Sequence, residues 1–174
     1  MHLIPFYVVD RDLAAAETRV IHLFAPHEGI PAGDYSLVEF YCPDPDCDCR
    51  RVMLNIVEEK EIDRFLASIS YGFDRYEEKA GPFLDSLNPQ SEYARALLRL
   101  VDRLVLSDPH YVARLERHYA LVKQAASDPD HPAYHKLQKV LADDAEQFPL
   151  PWPSRKPRRK PLKRKRRPRR KRRK

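Results

Sequence analysis

Glycine is scarce, with 4 in 174 residues at positions 29, 33, 72 and 81, too few and too scattered to build a phosphate-cradling loop. No G-x-S-x-G elbow occurs either, so nucleotide hydrolysis and hydrolase-type nucleophilic catalysis lose their usual scaffolds. Cysteine is equally sparse: all 3 lie between Cys42 and Cys49, and an odd, clustered set cannot staple distant parts of a chain. No run approaches the roughly 18–20 uninterrupted apolar residues of a membrane span. The longest near-apolar stretch, Leu3 to Val9, is broken by Pro5. That stretch has no preceding Lys or Arg and no small-residue cleavage site after it, so it does not read as a secretory signal. The expected location is a reducing cytoplasm, with no membrane partner.

Charge is abundant but unevenly placed. Of 32 Lys+Arg, 16 fall between Arg155 and Lys174 with no acid among them, leaving 16 basic residues against 26 acidic ones before that point. The net +6 is therefore a body at −10 joined to a tail at +16. An acidic globule with a cationic extension follows, and the basic pI describes only the extension.

The first half of the chain carries a period of two. Phe65, Ala67, Ile69, Tyr71 and Phe73 alternate with small or polar residues, and Thr18 to Phe24, Tyr35 to Cys42 and Arg51 to Val57 are rich in β-branched and aromatic residues. The connections at Pro26–Asp34 and Pro43–Asp48 are too short for a parallel crossover, so a four-stranded antiparallel meander is expected, with Leu3 to Val9 as a candidate fifth, edge strand. After Gly81-Pro82 the period becomes helical. Asn88-Pro89, Ser107-Asp108-Pro109 and Asp130-His131-Pro132 each offer a cap and an early proline. The apolar stripes that follow are Tyr93, Leu97, Leu100, Val101, Leu104 and Val105, then Val112, Leu115, Tyr119 and Val122, then Leu137, Val140, Leu141 and Ala145. Strands followed by helices predict an α+β domain over 1–148, its sheet packed on three C-terminal helices. From 149 to 174, Pro149, Pro151, Pro153, Pro157, Pro161 and Pro168 exclude a continuous helix, and almost nothing apolar follows Trp152. The expectation there is a disordered tail.

The segment richest in chemistry is Tyr41-Cys42-Pro43-Asp44-Pro45-Asp46-Cys47-Asp48-Cys49-Arg50-Arg51. A hairpin between the second and third strands would gather Cys42, Cys47 and Cys49, and soft thiolates favour zinc or iron; the expected cofactor is a structural zinc ion. A closed zinc site needs a fourth ligand, for which the candidates are Asp44, Asp46 or Asp48, His22 or His27, or a histidine of the helices. Arg50 and Arg51 are expected to lower the thiol pKa values. Two other readings stand beside this one. The cysteines could serve as small apolar strand residues, or Cys42 could form a redox pair with Cys47 or Cys49, which would make the cluster the centre of a thiol-redox or metal-dependent enzyme. A calcium loop is excluded, because Asp44-x-Asp46-x-Asp48 places Cys49 where glycine is needed and Asn55 where the bidentate glutamate belongs. His131 and His135 share a helix face but lack the glutamate of a hydrolytic zinc motif. His110 and His118 read as surface or boundary residues.

The tail is the second signal. Arg155, Lys156, Arg158, Arg159, Lys160, Lys163, Arg164, Lys165, Arg166, Arg167, Arg169, Arg170, Lys171, Arg172, Arg173 and Lys174 would attract a dense polyanion by releasing its counterions, with nucleic acid or the ribosome as the expected partner. Only Trp152 could stack on a base, so little sequence selectivity is expected. A purely solubilising extension, or one folded back on the acidic body, is the plainer alternative.

Phe40-Tyr41-Cys42 with Cys47-Asp48-Cys49-Arg50-Arg51-Val52, together with Ser68-Ile69-Ser70-Tyr71-Gly72-Phe73, Gly81-Pro82-Phe83-Leu84-Asp85, Leu87-Asn88-Pro89-Gln90-Ser91 and Tyr111 to Tyr119, resembles a family of uncharacterised bacterial proteins over about residues 16–126. The resemblance implies no activity. It implies that the three cysteines act as a unit and that the basic tail is an individual addition.

Overall fold

A computed structural model describes residues 3–61, 64–74 and 80–142. In chain order the elements are β1 (Ile4–Pro5), α1 (Arg11–Glu17), β2 (Arg19–Leu23), β3 (Gly33–Tyr41), β4 (Arg51–Glu58), β5 (Phe65–Gly72), β6 (Phe83–Leu84), α2 (Ala94–Val101), α3 (Pro109–Ser127) and α4 (Tyr134–Ala142). The fold is α+β. β2 to β6 pair antiparallel in sequence order, while β1 and β2 share the outer edge of β3, β1 beside Tyr41 and Phe40 and β2 beside Gly33 to Leu37. The anticipated meander is present, and β6 adds a short edge strand beyond it.

Alternation explains the core. Tyr35, Leu37 and Tyr41 of β3, Val52, Leu54 and Ile56 of β4, and Ala67, Ile69 and Tyr71 of β5 project from one side into a cluster with Leu97, Val101, Leu115, Val122 and Leu137 of the helices. α2 lies on β5 and β6, α3 reaches β4, and α4 packs on α3. Phe65 departs from its expected face. A bulge between Ile56 and Val57 shifts the register, so Phe65 leaves the core side and meets Phe40 edge-on at 5.9 Å, while Leu66 takes a core position.

The N-terminal strand expected over Leu3 to Val9 survives only as Ile4–Pro5. It gives way to a 3-10 turn at Phe6–Val8 and then to α1, a helix that the period-two reading of this region did not anticipate. Its start signal is ordinary: Asp10 accepts a hydrogen bond from the Leu13 N–H at 2.9 Å, ahead of the helix-favouring Ala14, Ala15 and Ala16. Asn88-Pro89 does not open a helix. The Asp85 carboxylate accepts from the backbone N–H groups of Leu87 and Asn88 and from the Asn88 amide, closing a turn, and α2 begins only at Ala94. Asp108-Pro109 behaves as expected, the Asp108 carboxylate accepting from the His110 N–H at 2.9 Å with proline in the first turn of α3.

Gly81 is required where it stands. Its φ is +87°, and a Cβ there would come within 2.8 Å of the Ser70 carbonyl oxygen as the chain turns into β6.

Leu54 is fully buried at the centre of this core. Leu54→Ala is expected to cost about 2–5 kcal/mol in urea unfolding, against about 1 kcal/mol for removing the α3 cap in Asp108→Ala.

Candidate metal centre and a buried ionic network

β3 ends at Tyr41, and the next residue opens the loop that returns the chain to β4. The loop is built locally. Asp44 accepts from the Asp46 N–H through its carboxylate at 3.0 Å and from the Cys47 N–H through its carbonyl at 3.2 Å, a tight turn that lifts Cys47 back over Cys42. Arg50 then adopts φ +42°, the left-handed region that side chains avoid, at the point where the chain rejoins the sheet. Its carbonyl accepts from the Phe73 N–H at 2.9 Å, which holds this conformation. Such strain persists where surrounding contacts over-determine it, and here it falls directly after Cys49.

The sulfurs of Cys42, Cys47 and Cys49 lie within 4.8 Å of one another, an arrangement compatible with a metal site. Tetrahedral geometry with bonds near 2.3 Å would set them about 3.8 Å apart, a small contraction. Cys42 is buried and the other two are half-buried. Within the group the Cys49 thiol donates to the Cys42 sulfur, which lowers the Cys42 pKa well below the ordinary thiol range; the Asp44 N–H and the Lys123 charge act in the same direction. Cys49, holding that shared proton and partly removed from water, is raised.

The cation beside the thiols is Lys123 of α3. Its ammonium donates to the Asp44 carbonyl and, at 2.7 Å, to the Cys47 carbonyl, while the Tyr119 hydroxyl lies 3.4 Å from the same Cys47 oxygen. The loop is thereby fastened to the helix. This corrects the expected role of the adjacent arginine: Arg51 turns to Ser70 Oγ at 3.2 Å and the Ala80 carbonyl at 3.3 Å, with its guanidinium over the Phe83 ring.

Among the described residues, no Asp, Glu or His joins the three sulfurs. His22 faces the Asp34 carboxylate at 2.7 Å, and His27 lies 3.1 Å from the Arg103 guanidinium. The tail residues Arg155 to Lys174 lie outside the described residues.

His118 is neither the surface nor the boundary residue expected. It is 1% exposed, stacked on Phe6 at 3.9 Å between centroids, with Nδ1 2.6 Å from Glu39 and Nε2 2.8 Å from Glu17. The Tyr41 hydroxyl donates to Glu39 at 2.8 Å, Arg114 approaches the same carboxylate at 3.4 Å, and Arg117 donates to Glu17 at 2.7 Å. The network ties α1, β3 and α3 together beside a cavity of about 170 Å³ lined by Phe6, Ala14, Ala15, Glu39 and His118. A signal for it existed. Glu39 interrupts the inward set Tyr35, Leu37 and Tyr41, and His118 continues the stripe of Tyr111, Leu115 and Val122, so each polar residue occupies a core-facing position that demands a partner.

No family model, curated protein or solved structure matches the chain, so the reading of these sites rests on their geometry.

Glu39→Ala strips a buried partner from His118, Tyr41 and Arg114 and is expected to cost about 3–5 kcal/mol in denaturant unfolding. Arg117→Ala, at the solvent end of the network, is expected to cost no more than about 1 kcal/mol in the same measurement.

Proposed function

We propose that Cys42, Cys47 and Cys49 hold a structural zinc ion that locks the β3–β4 loop onto α3, in a non-enzymatic binding protein whose C-terminal polycation contacts nucleic acid or the ribosome. The observation that carries the metal reading is the mutual approach of three sulfurs within 4.8 Å in a loop only eight residues long from Cys42 to Cys49. A purely apolar role for the cysteines gives no reason for that convergence. Three thiolates on a divalent cation leave one negative charge, which the Lys123 ammonium beside the loop offsets. Supporting the tail reading is the charge split, +16 within twenty residues against −10 in the rest of the chain.

The competing reading, a thiol-redox or metal-dependent enzyme built on the same cluster, draws on the lowered Cys42 thiol and on the three-ligand set, which would leave a coordination position open. The two differ in what the reduced protein contains. Elemental analysis of anaerobically purified chain is expected to find one zinc per molecule, retained through dialysis and lost in the triple Cys→Ser variant. A metal-free chain with one rapidly alkylated thiol would instead support the redox reading.

For the tail, truncation after Trp152 is expected to abolish binding to single-stranded RNA in an anisotropy titration. The full chain should show a log–log salt slope of roughly −6, from about eight neutralised phosphates at about −0.7 each. Equal binding by the truncated chain would remove the polycation from the mechanism.

A further inference from the structure

We infer that the cavity beside Glu39 and His118 is a binding site for a small neutral ring carrying one N–H or O–H donor, of which phenol is the simplest example. The site follows from how the edge of β3 is covered. β1 pairs with β3 only at Phe40 and Tyr41, and β2 only at Gly33 to Leu37. Val38 and Glu39 lie between them, and the chain spans that interval through the 3-10 turn at Phe6–Val8 and through α1 instead of a strand. Helix and sheet edge leave a cavity of about 170 Å³, walled by Phe6, Ala14, Ala15 and Val38. Two successive alanines on α1 supply the room. An apolar cavity of about 150 Å³ takes up benzene, so one six-membered ring with a small substituent sets the size of the ligand.

The polar groups select among rings of that size. The Glu39 side chain is 5% exposed and lines the cavity. Its Oε2 accepts from the Tyr41 hydroxyl and faces His118 Nδ1, while Oε1 has Arg114, at 3.4 Å, as its partner among the described residues. A carboxylate offers about four lone-pair sites, so acceptor capacity remains for a ligand. An anionic ligand would meet that carboxylate with like charge. A cation would add a third positive charge to Arg114, which already faces Glu39, and to Arg11, which stands exposed at the cavity wall. A hydrocarbon suits the apolar walls but covers the carboxylate without returning a hydrogen bond. A neutral donor ring meets all three conditions. Tyr7, whose hydroxyl burial pushes up to about 12, adds no charge at neutral pH. The cysteine loop is held by other residues of α3, Tyr119 and Lys123.

The test titrates the full-length reduced chain at neutral pH with phenol, benzene, benzoate and benzylammonium, following backbone amide signals by nuclear magnetic resonance. Phenol is expected to shift the Ala15, Val38 and Glu39 amides in a saturable, single-site titration. Benzene, with no donor for the carboxylate, should bind about 10-fold or more weakly, and benzoate and benzylammonium should leave those amides unmoved at the same concentration. Ala14→Leu and Ala15→Leu narrow the cavity and should each weaken the phenol response at least tenfold, with an unchanged circular dichroism spectrum. Phenol without effect on the three amides overturns the site. Benzene binding as tightly as phenol overturns the part given to Glu39, and tighter binding of either charged ring overturns the neutral class. A phenol response undiminished in both leucine variants places the ligand outside the cavity and overturns the inference as well.

Discussion

Two carbonyl oxygens of one loop, those of Asp44 and Cys47, converge on the ammonium of Lys123, and the geometry of the three sulfurs depends on that convergence. The β3–β4 pairing sets only where the loop begins and ends, placing Phe40 opposite Met53 and leaving the chain to return from Tyr41 to Arg51. The path between is set by the Asp44 turn, by the left-handed Arg50 and by the cation on α3. Each costs something locally, since carbonyls are desolvated and a non-glycine residue is held at positive φ. Their joint result is a buried thiol with two others at its side. The arrangement is compatible with a divalent ion, which would convert mutual repulsion among thiolates into coordination.

A second constraint acts at the opposite side of α3. α1 has no fully buried residue; Leu13 and Ala14 pack partly buried against the core, and Glu17 adds a polar attachment by meeting His118, Arg114 and Arg117. Glu39 completes the arrangement from the sheet. Burying such a set offsets desolvation only when nearly every lone pair and proton finds a partner, and here one imidazole serves two carboxylates while a tyrosine and an arginine serve one of them. Two sets of α3 side chains thus perform different tasks. Arg114, Arg117 and His118 hold the N-terminal helix, and Tyr119 and Lys123 hold the cysteine loop.

Most of the architecture was legible from periodicity. The alternation in Phe65 to Phe73 and the aromatic and β-branched content of Tyr35 to Cys42 and Arg51 to Val57 announced the meander, and Asp108-Pro109 announced α3 to the residue. Three readings failed. Phe65 changed faces because a bulge is a property of two paired strands, Asn88 was withdrawn from helix capping by Asp85, and α1 lies between two segments read as strand, where an aspartate cap and three alanines were passed over.

The cysteine spacing by itself determined that the three sulfurs lie on one short connection between two strands, while their mutual approach needed the contacts of α3. The order of periodicities put strands ahead of helices, and the charge split confined the net positive charge to the last twenty residues. Tertiary structure decided the rest: that Lys123, eighty-one residues beyond Cys42, is the cation beside the thiols, that Arg51 points to Ser70 instead, and that His118 is locked between Glu17 and Glu39. The physical reason is the range of each interaction. Hydrogen-bonded turns and side-chain periods act over a few residues and are written in local order, whereas partners for buried charge are chosen by which surfaces of distant elements come into contact when the core closes.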